Sequence, residues 1–320
     1  MTNIAIDFGG TTIKIGLVRS GVVLAKTGIP AQSSGGLLPR LDDVERTVHR
    51  LLADAGLALD QCKGVGMAVP GLTDPMKSTL LSINEKYADA AGMNFGDWAS
   101  DRFGLGCHVL ENDARAALLG ETAYGVSRGI RDSVLMIFGT GIGTAVMIDG
   151  QILRGRHHQA GVLGGHLTTD VHGSICTCGN IGCVEAQAGH WALEAKIKKH
   201  PGFSASLLQR ARTPGYQAIV DAATAGDGAA RDILDELVIH WSAGIINLIH
   251  AYDPEVVVLS GGLMNAADLI VPKLAERVHR LAWTPWGKVR FEVAGDPESS
   301  VLLGTSYLLE QLSASRRTCP

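Results

Sequence analysis

A chain of 320 residues is longer than one hydrophobic core usually serves, so two domains are expected. Its 46% hydrophobic and 19% charged residues describe a soluble globular protein, and a net charge of -4 excludes a basic footprint for nucleic acid or a membrane surface. No apolar run is long enough to span a bilayer, and Asp7 interrupts the first apolar residues, so no signal-peptide pattern is read. Of six cysteines, Cys62, Cys107 and Cys319 are scattered, which suits a reducing cytoplasm rather than a disulfide framework.

In chain order, residues 3–8 read as a buried strand, Gly9-Gly10-Thr11-Thr12 as a tight turn and Ile13 to Val18 as a second strand. Gly21 turns the chain into a third strand, Val22 to Lys26. A strand, glycine turn and strand can put backbone N–H groups and the Thr11 and Thr12 hydroxyls around an anion. Asp7 then suits Mg²⁺ or its water, and Lys14 would offset phosphate charge. A plain hairpin with a glycine turn reads equally well, and this is no Walker A loop, since no Gly-Lys-Ser/Thr opens a helix. Leu41 to Leu57 is apolar at helical spacing (Leu41, Val44, Val48, Leu51, Leu52). Residues 64–71 read as a strand closing in a turn. Residues 72–96 are irregular around a polar cluster of Asn84, Glu85 and Lys86. Asp97 is the expected cap of a short helix through Phe103, and Cys107 to Leu110 is another strand.

Glu111-Asn112-Asp113 then opens an alanine-rich helix. A polar residue there is ordinarily an N-cap, but a helix start between two apparent domains is also where α/β proteins bind ligands, which makes Asp113 a candidate base. Residues 133–138 form a strand running into Gly139-Thr140-Gly141-Ile142-Gly143-Thr144, then a strand to Ile148 and a turn at Asp149-Gly150. That layout repeats residues 4–21, and an internal duplication, one copy per domain, explains it better than two chance glycine hairpins. Two such turns would clamp a polyphosphate.

The loop from Arg154 to His190 holds Cys176-Thr-Cys178-Gly-Asn-Ile-Gly-Cys183-Val-Glu185. Three thiols in eight residues, broken by glycines, form a knuckle that can aim its sulfurs at one centre, and His166 is the nearest fourth ligand for a tetrahedral Zn²⁺. His157, His158 and His172 compete for that place, and three buried thiols without metal are the bland alternative. A closed four-ligand site would be structural and would aim Glu185. Residues 204–252 read as helical, broken near Pro214 and at 226–228. A strand at 255–259 runs into Ser260-Gly261-Gly262 and a helix from about Ala266, a shelf on which a flat ring such as adenine could sit. Val289 to Val293 is the last strand, and a helix from Val301 to about Ser313 closes the chain.

The knuckle resembles the signature of the ROK family of repressors, open reading frames and sugar kinases, residue for residue from Cys176 to Glu185. Residues 7–14 resemble the family's first phosphate motif and Gly139-Thr140-Gly141-Ile142-Gly143 its second, while Ser260-Gly261-Gly262 is similar to its adenosine motif. Asn112-Asp113 matches the pair that ends the sugar-site strand, and the Gly165-His166 context favours His166 as zinc ligand. The resemblance implies an α/β actin/hexokinase-like fold: two domains with ribonuclease H-like sheets and a cleft between them. Residues 1–112 with 301–320 would form the smaller domain and 113–300 the larger, zinc-bearing one. It further implies ATP, Mg²⁺ and structural Zn²⁺, a hexose or N-acetylhexosamine substrate, and a homodimer or homotetramer. Asp113 would accept the proton of the sugar 6-hydroxyl, while Asn84, Asn112, His166 and Glu185 would orient the sugar. Domain closure would exclude water. One departure stands out. Leu163 occupies the place where many family kinases carry a sugar-contacting glutamate, so glucose does not transfer as the substrate. Asn84 is preferred over Asn94 as the sugar-site asparagine. The family's repressors carry a helix-turn-helix ahead of the first phosphate motif. A first strand at residue 3 leaves no room for one here, and the charge agrees, so a kinase is expected over a transcriptional regulator or a non-catalytic binding protein.

Overall fold

The computed structural model describes residues 1–84 and 86–317. Glu85 of the polar cluster and the scattered Cys319 lie outside the described residues. The chain divides into two compact units: residues 1–130 with 152–160 and 294–320, and residues 131–151 with 161–293. The helix that follows Asn112, expected to open the larger domain, thus packs in the first unit.

The first unit is built on β1 (Thr2–Phe8), β2 (Thr12–Arg19) and β3 (Val22–Pro30), followed by α1 (Leu41–Asp54) and β4 (Cys62–Val69). A small hairpin, β5 (Leu72–Asp74) and β6 (Thr79–Ser82), occupies part of the stretch read as irregular. Then come α2 (Phe95–Phe103), β7 (His108–Asn112) and α3 (Asp113–Tyr124). The sheet order is β3-β2-β1-β4-β7, antiparallel from β1 outward to β3 and parallel from β1 to β7. Every residue of β1 is buried, because both sheet faces are covered. Ile4, Ile6 and Phe8 meet Val44, Val48, Phe95 and Trp98 from α1 and α2 on one face. On the other, Ala5 and Val18 meet Leu302. The helix α2 is capped by Asn94, whose Oδ1 accepts from the N–H groups of Gly96 (2.9 Å) and Asp97 (3.1 Å); Asp97 itself lies inside the first turn.

The second unit begins with β8 (Ser133–Phe138), β9 (Ile142–Ile148) and β10 (Gln151–Ile152), then α4 (Val184–Ala188), α5 (His190–Lys199), α6 (Tyr216–Thr224) and α7 (Gly228–Tyr252). It ends with β11 (Val256–Gly261), α8 (Ala267–Leu281) and β12 (Arg290–Val293). Its order, β10-β9-β8-β11-β12, repeats that of the first sheet strand for strand, as a duplication requires. The chain then returns to the first unit as α9 (Pro297–Arg317), four residues earlier than the apolar pattern suggested. Pro297 has the fixed φ suited to a helix start, and Asp296 accepts from Ser299 through both N–H and Oγ.

Candidate active site

At the end of β1, Asp7 is paired in register with Lys14 of β2, and the Lys14 ammonium lies 3.7 Å from its carboxylate. Burial raises the Asp7 carboxyl to about 7; Lys14 opposes that shift and the nearby Asp113 carboxylate adds to it. The turn that follows is fastened by its carbonyls. Gly9 accepts from the Tyr87 hydroxyl (2.7 Å), Gly10 from Ser33 Oγ (2.7 Å) and Thr11 from the Ala31 N–H (2.9 Å). A trans peptide points its N–H opposite to its C=O, so the amides of Gly10 and Thr11 face away from these ties, the arrangement an anion cradle needs. Gly9 is required because a side chain would meet the Thr12 carbonyl at 2.6 Å.

At the start of α3, Asn112 is the N-cap: its Oδ1 accepts from the Arg115 N–H (3.2 Å) and its Nδ2 donates to the Gly71 carbonyl and to Asp113 Oδ1, each at 3.0 Å. The same Asp113 oxygen accepts from the Ala114 N–H (2.8 Å). Burial raises the Asp113 carboxyl, opposed first by the Lys86 ammonium and then by these hydrogen bonds. The capping reading of the pair falls to Asn112, and Asp113 beside it presents a half-buried, oriented carboxylate. Asn84 lies in the same unit, while Asn94 is committed to capping α2.

The sequence reading missed what anchors this helix start. Glu111, fully buried, accepts from the Asn112 N–H (2.9 Å) and pairs with Arg154 and, at 3.6 Å, with Arg115. Arg115 donates to the carbonyls of His158 (3.1 Å) and Ala160 (2.8 Å), so residues 152–160 are tied to α3. A lone arginine in an alanine-rich helix was the signal available.

In the second unit, Gly139, Thr140 and Gly141 form the turn between β8 and β9, and Gly143 is the second residue of β9. Glu185, on α4, reaches this turn: it accepts from the Ile142 N–H at 2.6 Å through one oxygen and from the Trp191 indole at 3.1 Å through the other. The Trp191 N–H donates to the Thr140 carbonyl (3.3 Å). Glu185, expected to orient the sugar, is thus engaged with the second glycine turn. Gly261 is paired in register with Phe138, so Gly261 and Gly262 lie beside the strand end from which that turn springs. With φ at +95° and the Phe138 carbonyl pressed where a Cβ would be, Gly261 admits only glycine.

His166, Cys176, Cys178 and Cys183 come together with their ligand atoms all within 4.8 Å of one another. The separations fit zinc. A tetrahedron with Zn–S near 2.3 Å and Zn–N near 2.0–2.1 Å has S···S edges of about 3.8 Å and S···N edges of about 3.6 Å. Cys178 and Cys183 lie 3.8 Å apart, and Cys176 lies 3.5 Å from His166 Nδ1. Burial and the neighbouring thiols hold Cys183 up at about 12, a repulsion that a divalent cation would reverse. The Asn180 amide donates to the Cys183 sulfur (3.4 Å), a partner outside the ligand set. His157, His158 and His172 stand outside the cluster. Leu163 is 40% exposed, at the turn that carries His166.

The sequence profile of the ROK family matches residues 3–312. A glucokinase of Thermotoga maritima is 29% identical over 316 residues, covering 96% of this chain and 97% of that protein. A putative xylose repressor of a Caldicellulosiruptor species is 29% identical over 247 residues, covering 75% of this chain and 61% of the repressor. Among solved structures, a ROK family glucokinase from Streptomyces griseus in complex with glucose and AMPPNP superposes with a TM-score of 0.81 at 27% identity, covering 97% of this chain and all of that one. The fold is therefore the actin/hexokinase-like one, its two sheets being the repeated halves described above. A profile that runs almost from end to end through both glycine turns and the cysteine knuckle leaves one assignment: the chain belongs to the ROK family.

Proposed function

We propose that this protein is an ATP-dependent sugar kinase that transfers the γ-phosphoryl group to the 6-hydroxyl of a hexose or N-acetylhexosamine, with Asp113 as the base. The observation that carries this reading is the Asp113 carboxylate, fixed through one oxygen by Asn112 and the Ala114 N–H at the head of α3 and electrostatically coupled to Asp7 beside a glycine turn. Bound Mg²⁺ would supply charge neutralisation for the nucleotide's phosphates. Asp7, a buried carboxyl held high, fits a cation whose charge would favour its ionised form. The amides of Gly10 and Thr11, with Thr12 and Lys14, would bind phosphate oxygens of the nucleotide. Gly139, Thr140, Gly141 and Gly143 make a second phosphate-type turn, and the Gly261-Gly262 shelf of the same unit would take the adenine. Asp113 accepts the proton from the sugar oxygen as that oxygen bonds to the γ-phosphorus and the bond to ADP breaks. Asn112 and Asn84 would orient the sugar, and His166 with the three cysteines would hold a zinc ion that stiffens the loop.

A coupled ADP-release assay across glucose, mannose, fructose, allose, N-acetylglucosamine and N-acetylmannosamine tests the reading and finds the substrate. Leu163 in place of an acid removes a hydrogen-bond acceptor, so the preferred sugar is expected to differ from that of kinases that keep it. Asp113→Asn should cut turnover about 10²-fold or more while leaving sugar binding largely intact. Near-normal turnover in that variant would remove the assigned base.

A further inference from the structure

We propose that Lys86 is a second catalytic residue of the phosphoryl transfer: its ammonium lies across the first glycine turn, on the side of Asp113, to hold the negative charge of the phosphoryl group in transit. The inference rests on the kinase reading above and concerns a residue with no role in it so far.

The geometry comes from Gly10. A Cβ built on this glycine would lie 2.8 Å from Lys86 Cδ and Cε and 3.0 Å from Nζ, so the whole tail of the lysine runs over the turn. That placement is fixed by its neighbour. Tyr87 is 1% exposed, its hydroxyl donates to the Gly9 carbonyl at 2.7 Å, and its N–H donates to the Ser33 carbonyl at 2.9 Å. Ser33 in turn donates through Oγ to the Gly10 carbonyl at 2.7 Å. The Lys86 N–H donates to the Asn84 carbonyl at 2.7 Å. Tyr87 adopts the left-handed conformation (φ +50°), which a bulky residue takes up only when its surroundings enforce it. The segment carrying Lys86 is therefore sewn to the same turn that its side chain crosses.

The charges around it complete the argument. Asp7 of β1 and Asp113 of α3 bring two carboxylates to the site, and Lys14 of β2 is paired with Asp7 at 3.7 Å. Lys86 is the cation that acts on Asp113, the first of the influences opposing the rise in its carboxyl. A lysine on this spot does two things for the reaction. It keeps the base ionised, and it places a point charge where the transferred group must pass between the turn and the base. A lysine that only solvated a loop would need neither the tyrosine anchor nor the glycine beneath it.

Steady-state kinetics of the full chain with MgATP and its best sugar, across pH, test this in K86M, K86Q and K86R. The expected result for K86M and K86Q is a fall in kcat of about 10²-fold with the sugar KM nearly unchanged. The acid limb of the kcat profile should also move to higher pH, because the cation that favours ionised Asp113 is gone. K86R should recover much of the loss. Melting temperatures close to wild type are expected for all three, since the anchoring bonds belong to Tyr87 and Ser33. Wild-type kcat in K86M and K86Q, a loss confined to sugar KM, or an unmoved acid limb would each overturn the assignment while leaving the kinase reading standing. No ADP release by the wild-type chain with any sugar would bring both down.

Discussion

At position 7 the chain keeps a carboxyl where water scarcely reaches, and its partner Lys14 does not fully offset the burial. The consequence for stability has a definite sign. Below the ordinary aspartate value of 3.8, folded and unfolded chains both carry the proton; from there to about 7 only the folded one does. Stability attributable to Asp7 is thus intact at low pH and is lost as pH rises through about 7, by on the order of a few kcal/mol. Asp7→Asn should therefore melt higher than wild type at pH 8, with the gain gone near pH 3.5. Calorimetry at both pH values checks it, and a gain of equal size at both would show that ionisation is not the source. On the function proposed above, a bound cation would offset that loss by favouring the ionised carboxyl. Asp7 and Asp113 were legible in the sequence because each sits at a strand end next to a glycine turn or a helix start. Lys86 was visible only as a member of a polar cluster, since its meaning comes from Tyr87 and Ser33, residues that touch the turn from far along the chain.

Among the elements, the cysteine knuckle and the second glycine turn behave as one piece. Cys183 immediately precedes α4, and Glu185, in its first turn, carries the link to Ile142 and Trp191. Gly141 is part of the joint, because a Cβ there would press on the Glu185 carboxyl carbon at 2.9 Å. Gly141→Ala should displace Glu185 and weaken binding of a nonhydrolysable ATP analogue about 10-fold, the effect of roughly one lost charge-assisted hydrogen bond. Titration calorimetry reads this directly, and unchanged affinity would mean that the link carries no strain to the turn. Cys178→Ser should lower the zinc content found by metal analysis and shift the emission of Trp191, by comparison with Trp191→Phe, without any reference to activity. A zinc content equal to that of the wild type would count against the four-ligand site. Cysteine spacing announced the knuckle, but nothing local in the sequence says which way Glu185 turns. The helix boundaries show the same limit. Asp97 and Asn94 are both good caps on paper, and only the packing of Phe95 and Trp98 against β1 selects Asn94.

On the scale of the whole molecule, the first unit is assembled from both ends of the chain. The last helix, α9, lies against β1, β2 and β4 where these strands carry Ala5, Gly16 and Gly66, and against α3 where Gly120 and Gly304 remove the side chains between the two backbones. This close approach explains why the sequence shows β1 as a buried strand but not what covers it, since small residues carry little hydrophobic signal. It also makes a sharp prediction. A Cβ on Gly304 would run into the Ala116 carbonyl and one on Gly120 into the Ser300 carbonyl, and main chain in two packed helices cannot swing aside as a side chain would. Gly304→Ala and Gly120→Ala should each cost about 2–3 kcal/mol or more, despite the better helix propensity of alanine. Gly228, at the start of α7, has nothing within 4 Å of its Cβ position, so Gly228→Ala should be neutral to slightly stabilising. Urea denaturation of the three variants compares them directly. If all three behaved like Gly228→Ala, the helices would have room to part, and closure of the first unit by the chain's C-terminal helix would not depend on bare backbone contact.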